Sequence, residues 1–316
     1  MLDVSTATFD QWMAANGWWL ERYLALLERP AWQEIVPVGS FAGLPTSFGA
    51  TQAQIALLFQ VAVIAERGDA AQVKSLLARD ARFWREVLQS SDMLITKMIA
   101  VGALRRNFEW GNLALRKLSP ASAAAAVPDE WRSPFTESEL SLRRAIAGEW
   151  HYINGVMGRM TLNDGLLGRL YQPQDSLNRI ADYYSSLADA LDAPLQSYSA
   201  ALNQAGRMSE QLREEGRPPR SLYNLAGKVF LAAAGPGDLS NFAARTADVE
   251  GMRRGALAAV TLRIEGTQAA DLPAALRTNA PHNPYDGEPL LWDESRAAIV
   301  FRGLEHGTRR EHRFYF

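Results

Sequence analysis

Residues Pro281–Gly303 read PHNPYDGEPLLWDESRAAIVFRG, and the fold reading turns on them. Upstream, Ala, Leu and Arg recur at helical spacings; here prolines and glycines separate short β-branched and aromatic runs. Asn283-Pro284-Tyr285-Asp286-Gly287 reads as a tight turn. Pro284 fixes φ, Gly287 supplies a positive φ, and the Asn283 and Asp286 side chains can cap amides. LLWD, AAIVFRG and the terminal HRFYF are strand-like, with DESR as a hairpin turn. Pro284, Gly287 and Pro289 are thus expected to set the backbone. Tyr285, Leu290 and Trp292 offer apolar faces that fold a terminal β-hairpin onto the preceding helix. Two other uses stay open: a calcium loop, with Glu288 completing an oxygen cluster, and a partner surface. The run lacks the alternating Asp/Asn ligands of an established calcium loop.

Outward from this stretch, apolar residues recur every three or four positions and predict helix after helix. Trp12, Ala15, Trp19, Tyr23, Leu26 and Leu27 mark a helix over residues 9–28, and a second follows Thr51. Two shorter units are expected at 70–78 and 81–89, then helices at 92–107, 175–191, 194–215, 221–234 and 238–265. Thr136 and Glu139 form a capping box that opens another helix. The proline-punctuated segment 119–135 reads as a linker between an N-terminal helical subdomain (1–118) and a C-terminal one (136–316). The expected fold is mainly α, a multi-helix domain of stacked helical hairpins with a small C-terminal β-hairpin.

Composition narrows the function classes. The 316 residues are ample for a large core, and 47% hydrophobic with 22% charged residues is ordinary for a globular chain. A formal net charge of -2 gives no basic excess, so no nucleic-acid partner is expected. With no cysteine there are no disulfides, thiolate nucleophiles or cysteine-bound metals. Trp12, Trp18, Trp19 and Trp32 read as helix-packing residues. The apolar run Ile55–Ala65 is interrupted by Gln60 and is too short to span a bilayer.

Local motifs for chemistry are weak. His151, His282, His306 and His312 do not show ligand spacing on a helix, so no tightly bound transition metal is expected, and no cofactor. VGSFAG sets Ser40 outside the nucleophile-elbow spacing, and AAAGPGD is a helix stop instead of a phosphate loop. DVEGMRRG places Glu250 at ion-pair spacing from Arg253 and Arg254, a solvated or interhelical salt bridge. Trp150, His151, Tyr152 and Asp164 are the weak candidates for a binding site, of the kind that takes a sugar or lipid headgroup. Carboxylates scattered along the chain leave glycoside chemistry open.

NPYDGEPLLWD, with RRGALAAVTLR and DLPAAL before it and IVFRG after it, resembles the C-terminal segment of uncharacterised proteobacterial cell-envelope proteins. Their pattern is Asp-Pro-(Tyr/Phe)-x-Gly-x-Pro-(Leu/Met)-x-(Trp/Tyr). Pro284, Tyr285, Gly287, Pro289, Leu290 and Trp292 match it; Asn283 stands where the first Asp is usual. Residues 80–118 also look like that family's N-terminal half. The resemblance implies a periplasmic helical domain tethered to the inner membrane by an N-terminal anchor upstream of Leu2. It implies no activity, and its expected partner is another envelope protein. The function expected is a non-enzymatic protein-binding or scaffold module, of accessory or immunity type. The alternative is an envelope hydrolase or a lipid- or glycan-binding enzyme. A deep polar cleft on Trp150, His151 and Asp164 would favour the enzyme, and a broad, shallow apolar surface the binding module.

Overall fold

The computed structural model describes residues 6–35, 48–157, 170–215, 223–234 and 239–316. Ser40 and Asp164 lie outside them. The protein is mainly helical, with a small three-stranded antiparallel sheet at its C-terminus.

The N-terminal helices are α1 (Thr6–Leu27), α2 (Phe48–Glu66), α3 (Ala70–Ser90) and α4 (Leu94–Leu115). Gly68 takes φ +80° at the α2–α3 corner, and Asp69 caps α3 by accepting from the Gln72 amide at 2.9 Å. The two short units expected at 70–78 and 81–89 are one continuous helix. Asp80, which lies between the two expected units, is fully buried and held by neighbouring helices.

Residues 119–135 are not a free linker. They form α5 (Pro120–Ala126) and α6 (Asp129–Arg132), and Trp131 is completely buried in the main core. The Thr136–Glu139 capping box is present, but it closes only the single turn α7 (Glu137–Leu140). The chain restarts as α8 (Arg143–Met157). It continues through α9 (Pro173–Leu191), α10 (Tyr198–Glu215), α11 (Leu225–Ala234), α12 (Ser240–Ile264) and α13 (Leu272–Thr278).

Two apolar cores result, and the long α12 runs through both. Its first half, through Ala243 and Ala247, packs with α8–α11; its second half, from Val249 to Leu262, packs with α2–α4 and the sheet. The expected boundary at 119–135 therefore differs from the division the packing makes. α2 illustrates the same point. Residues 49–66 are long and apolar enough to cross a membrane, longer than the 55–65 run suggested. Yet 56% of that window is buried inside the fold, which marks a core helix.

The sheet has one strand more than a hairpin. β1 (Leu291–Asp293) pairs with β2 (Ala298–Arg302), which pairs with β3 (Glu311–Tyr315), the HRFYF run. At the β1–β2 corner, Asp293 accepts from the Arg296 amide at 3.2 Å and Ala297 adopts φ +47°. Ile299 lies opposite Phe314, and Phe301 opposite His312. Because side chains alternate along a strand, these four share one face, and that face meets α12. A Cβ on Gly251 would stand 2.0 Å from Phe301, and one on Gly255 2.4 Å from Phe314. Only glycine lets both rings reach the helix backbone.

Candidate functional site

The weak candidates on α8 do not converge. Successive helix residues point about 100° apart, so Trp150, His151 and Tyr152 diverge. His151 is exposed; Trp150 is half-buried against the second core, and its buried indole N–H lacks a hydrogen-bond partner. The preceding Glu149 is occupied elsewhere: its carboxylate accepts the Leu94 amide at 3.1 Å at the start of α4. Glu34 caps the same helix end through the Asp92 and Met93 amides at 2.5 and 2.9 Å, so the acids serve the α4 terminus.

The Pro281–Gly303 stretch is fastened by its own backbone. Gly287, at φ +73°, donates its amide to the Asn283 carbonyl at 3.0 Å, and the Asn283 amide reaches the Glu288 carbonyl at 2.8 Å. The Asn283 side chain accepts from the Tyr285 amide, and Asp286 from the Glu288 amide, each at 3.0 Å. Two of the side-chain oxygens that a calcium loop would use, on Asn283 and Asp286, are thus engaged with the turn's own amides. Pro284 and Leu290 are buried, Pro289 and Trp292 half-buried, and the Trp292 ring meets Phe316 edge-on at 6.0 Å. From α12, Arg254 donates to the His282 carbonyl at 2.9 Å.

Tyr285 leads from this turn into a buried polar cluster. Its ring stacks on Phe301 at 6.1 Å, and its hydroxyl donates to Asp248 on α12 at 2.6 Å. Asp248 also accepts the Leu304 and Glu305 amides at 2.9 and 3.2 Å. Gly303 is needed where this carboxylate rests, because a Cβ there would lie 2.2 Å from its oxygen. Glu305, also buried, is paired with Arg245 at 2.8 Å. His312 on β3 stacks on Phe301 at 5.7 Å and lies against the two acids. Burial pushes the Asp248 carboxyl up to about 6, with its hydrogen bonds opposing. Burial, and then the Arg105 charge, push the His312 imidazole down to about 3. The imidazole is neutral at pH 7.

Sequence reasoning passed over this cluster because its members sit on three separate elements. A signal was present nonetheless: Asp248, Gly251 and Gly255 fall at i, i+3 and i+7, one stripe of a helix. Glycines at that spacing announce a close neighbour. The ion pair read from DVEGMRRG is there but not solvated. Glu250 is buried, accepts Arg253 at 2.6 and 2.8 Å, and takes the Phe135 amide at 3.2 Å, while Arg253 donates to the Trp131 carbonyl at 2.6 Å. It ties α12 to the 131–135 segment.

Elsewhere in the molecule, α1 and α2 expose an aromatic face. Trp12 and Trp18, expected as packing residues, are 39% and 51% exposed. A cleft of about 310 Å³ opens between Phe9, Trp12, Trp19, Ile55 and Phe59. A second of about 320 Å³ lies between Trp18, Trp19, Arg22, Tyr23 and Ala53. Both are lined mostly by apolar side chains. No family model, curated protein or solved structure matches the chain.

Proposed function

We propose that the chain is a non-enzymatic binding or scaffold module of the cell envelope, which holds another envelope protein through the α1–α2 aromatic face. The observation that carries this reading is the pair of exposed tryptophans, Trp12 and Trp18, beside apolar clefts. Large aromatic side chains facing water and flanked by apolar hollows are the usual anchors of protein interfaces. The periplasmic setting and membrane tether rest on the resemblance of the C-terminal segment. The enzyme alternative draws little support from α8, where Trp150, His151 and Tyr152 diverge.

A photo-crosslinking amino acid placed at position 18, and separately at exposed position 151, tests the reading in intact cells. A discrete adduct with one envelope protein is expected from position 18 and none from 151. Trp12→Ser should remove the adduct while moving the melting temperature by about 2–4 °C or less. Equal adducts from both positions, or none from position 18, would contradict the proposal.

A further inference from the structure

We infer that Asp248, Glu305 and His312 form a binding site for one divalent cation of the zinc class, at the junction of α12 and the C-terminal sheet. All three side chains are buried, and each brings a donor atom within 4.8 Å of the other two. Clustered acids alone would carry little weight. The imidazole distinguishes this cluster: His312 is 0% exposed, and neither ring nitrogen has a hydrogen-bond partner among the described residues. Leaving such a buried polar group unsatisfied costs roughly 1–3 kcal/mol. Other buried atoms are unpaired as well, the Trp150 indole N–H among them, but among the described residues His312 is the one set beside two buried carboxylates.

The surroundings match what a metal site needs beyond its ligands. Tyr285 and the Leu304 and Glu305 amides orient Asp248, and Arg245 orients Glu305 through Oε1. Phe301 stacks on the His312 ring and fixes its plane. Outer partners of this kind hold ligands in place and commonly contribute 10–100-fold in affinity. Two carboxylate oxygens and one imidazole nitrogen suit zinc or manganese; calcium and magnesium prefer shells of oxygen alone. Ligand bonds of about 2.0–2.2 Å require the three donors to draw together by roughly 1 Å. A bound ion would tie α12 to the chain after β2 and to β3. This site is separate from the α1–α2 face, so either reading can fail without the other.

The test is equilibrium dialysis of the full chain, without an affinity tag, against Zn²⁺, with the visible spectrum of the Co²⁺ form as a second readout. One ion per chain is expected. His312→Phe keeps the stack on Phe301 and should lower affinity at least tenfold, as should Glu305→Gln; Asp286→Ala, in the exposed turn, should leave it unchanged. Should His312→Phe fail to fold, the wild-type ¹⁵N spectrum decides, with a single imidazole shifting at one equivalent of Zn²⁺. Less than stoichiometric binding, or binding indifferent to His312 and Glu305, would overturn the site.

Discussion

Two aspartates lie buried in this molecule, Asp80 on α3 and Asp248 on α12, and their neighbourhoods differ. Asp80 accepts from Tyr23 at 2.5 Å, from Gln54 at 2.9 Å and from Asn107 at 2.8 Å. Each of those donors is itself satisfied. Trp84 donates to Tyr23, Trp131 to Asn107, and Arg106 to Gln54, while Gln54 and Asn107 also reach the Ala103 and Leu77 carbonyls. Asp248 is equally well held, yet the imidazole beside it has no hydrogen-bond partner among the described residues. Burial raises the pKa of both aspartates, so titration does not tell them apart. The hydrogen-bond inventory next to each carboxylate does. The three side chains that donate to Asp80 are all paired, and the unpaired atom of that network, Arg106 Nη2, lies further out, beyond Gln54. A carboxylate whose direct neighbours are paired specifies a core; one beside an imidazole with both nitrogens unpaired is suited to a ligand.

The strongest way to break this contrast is to remove the carboxylate whose direct donors are all paired. Asp80→Ala strands the Tyr23, Gln54 and Asn107 donors and should cost about 3–5 kcal/mol by denaturant unfolding. A loss below about 1 kcal/mol would mean that water fills the gap and that the pairing around Asp80 specifies little. His312→Phe is the counterpart. Studied in chelator, it should leave stability unchanged or raise it by about 1 kcal/mol, since phenyl retains the stack and removes two unpaired nitrogens.

Lys97 sharpens the same comparison through pH. Its ammonium is buried and donates to the Leu88 and Glu139 carbonyls at 2.6 and 3.0 Å, and burial lowers its pKa to about 8, with Glu139 opposing. Between pH 8 and the unfolded value of 10.5 the unfolded chain binds more protons, so this group's contribution to stability rises with pH. Relative to Lys97→Met, the wild type should gain at most about 3 kcal/mol across that window. A flat difference would show the ammonium to be hydrated.

Smaller effects are expected in the Pro281–Gly303 stretch. Trp292 is only half-buried, so Trp292→Ala should cost about 2 kcal/mol, below the value for a fully buried ring. Gly287→Val meets open space but forces a β-branched residue to φ +73°, at a cost of about 1–2 kcal/mol. Unshifted melting in both variants would make this turn a surface feature and detach it from the Asp248 cluster it leads into.

The helices were legible from the sequence because apolar spacing reports which face is buried, and the turn was legible because Pro284 and Gly287 restrict φ locally. Errors arose where tertiary contacts override a local signal. The expected gap between 78 and 81 closes once Gln54 and Asn107 hold Asp80, and the prolines of 119–135 look like a linker until Trp131 is buried. The Asp248 cluster joins residues on α12, after β2 and on β3, so only the fold assembles it. Trp12 gave no sign of exposure, since a tryptophan at helical spacing reads the same whether it meets a core or water; Trp18 falls outside the stripe through Trp12, Trp19 and Tyr23, and that offset was the available signal.

The stability difference between wild type and His312→Phe, measured once in EDTA and once with excess Zn²⁺, tests the contrast most directly. In EDTA the variant should be at least as stable as the wild type. With Zn²⁺ at about a hundredfold over its dissociation constant, the wild type should gain roughly 2.7 kcal/mol that the variant does not. The sign of the difference then reverses. A difference of the same sign and size in both conditions would contradict the account and make His312 an ordinary core residue.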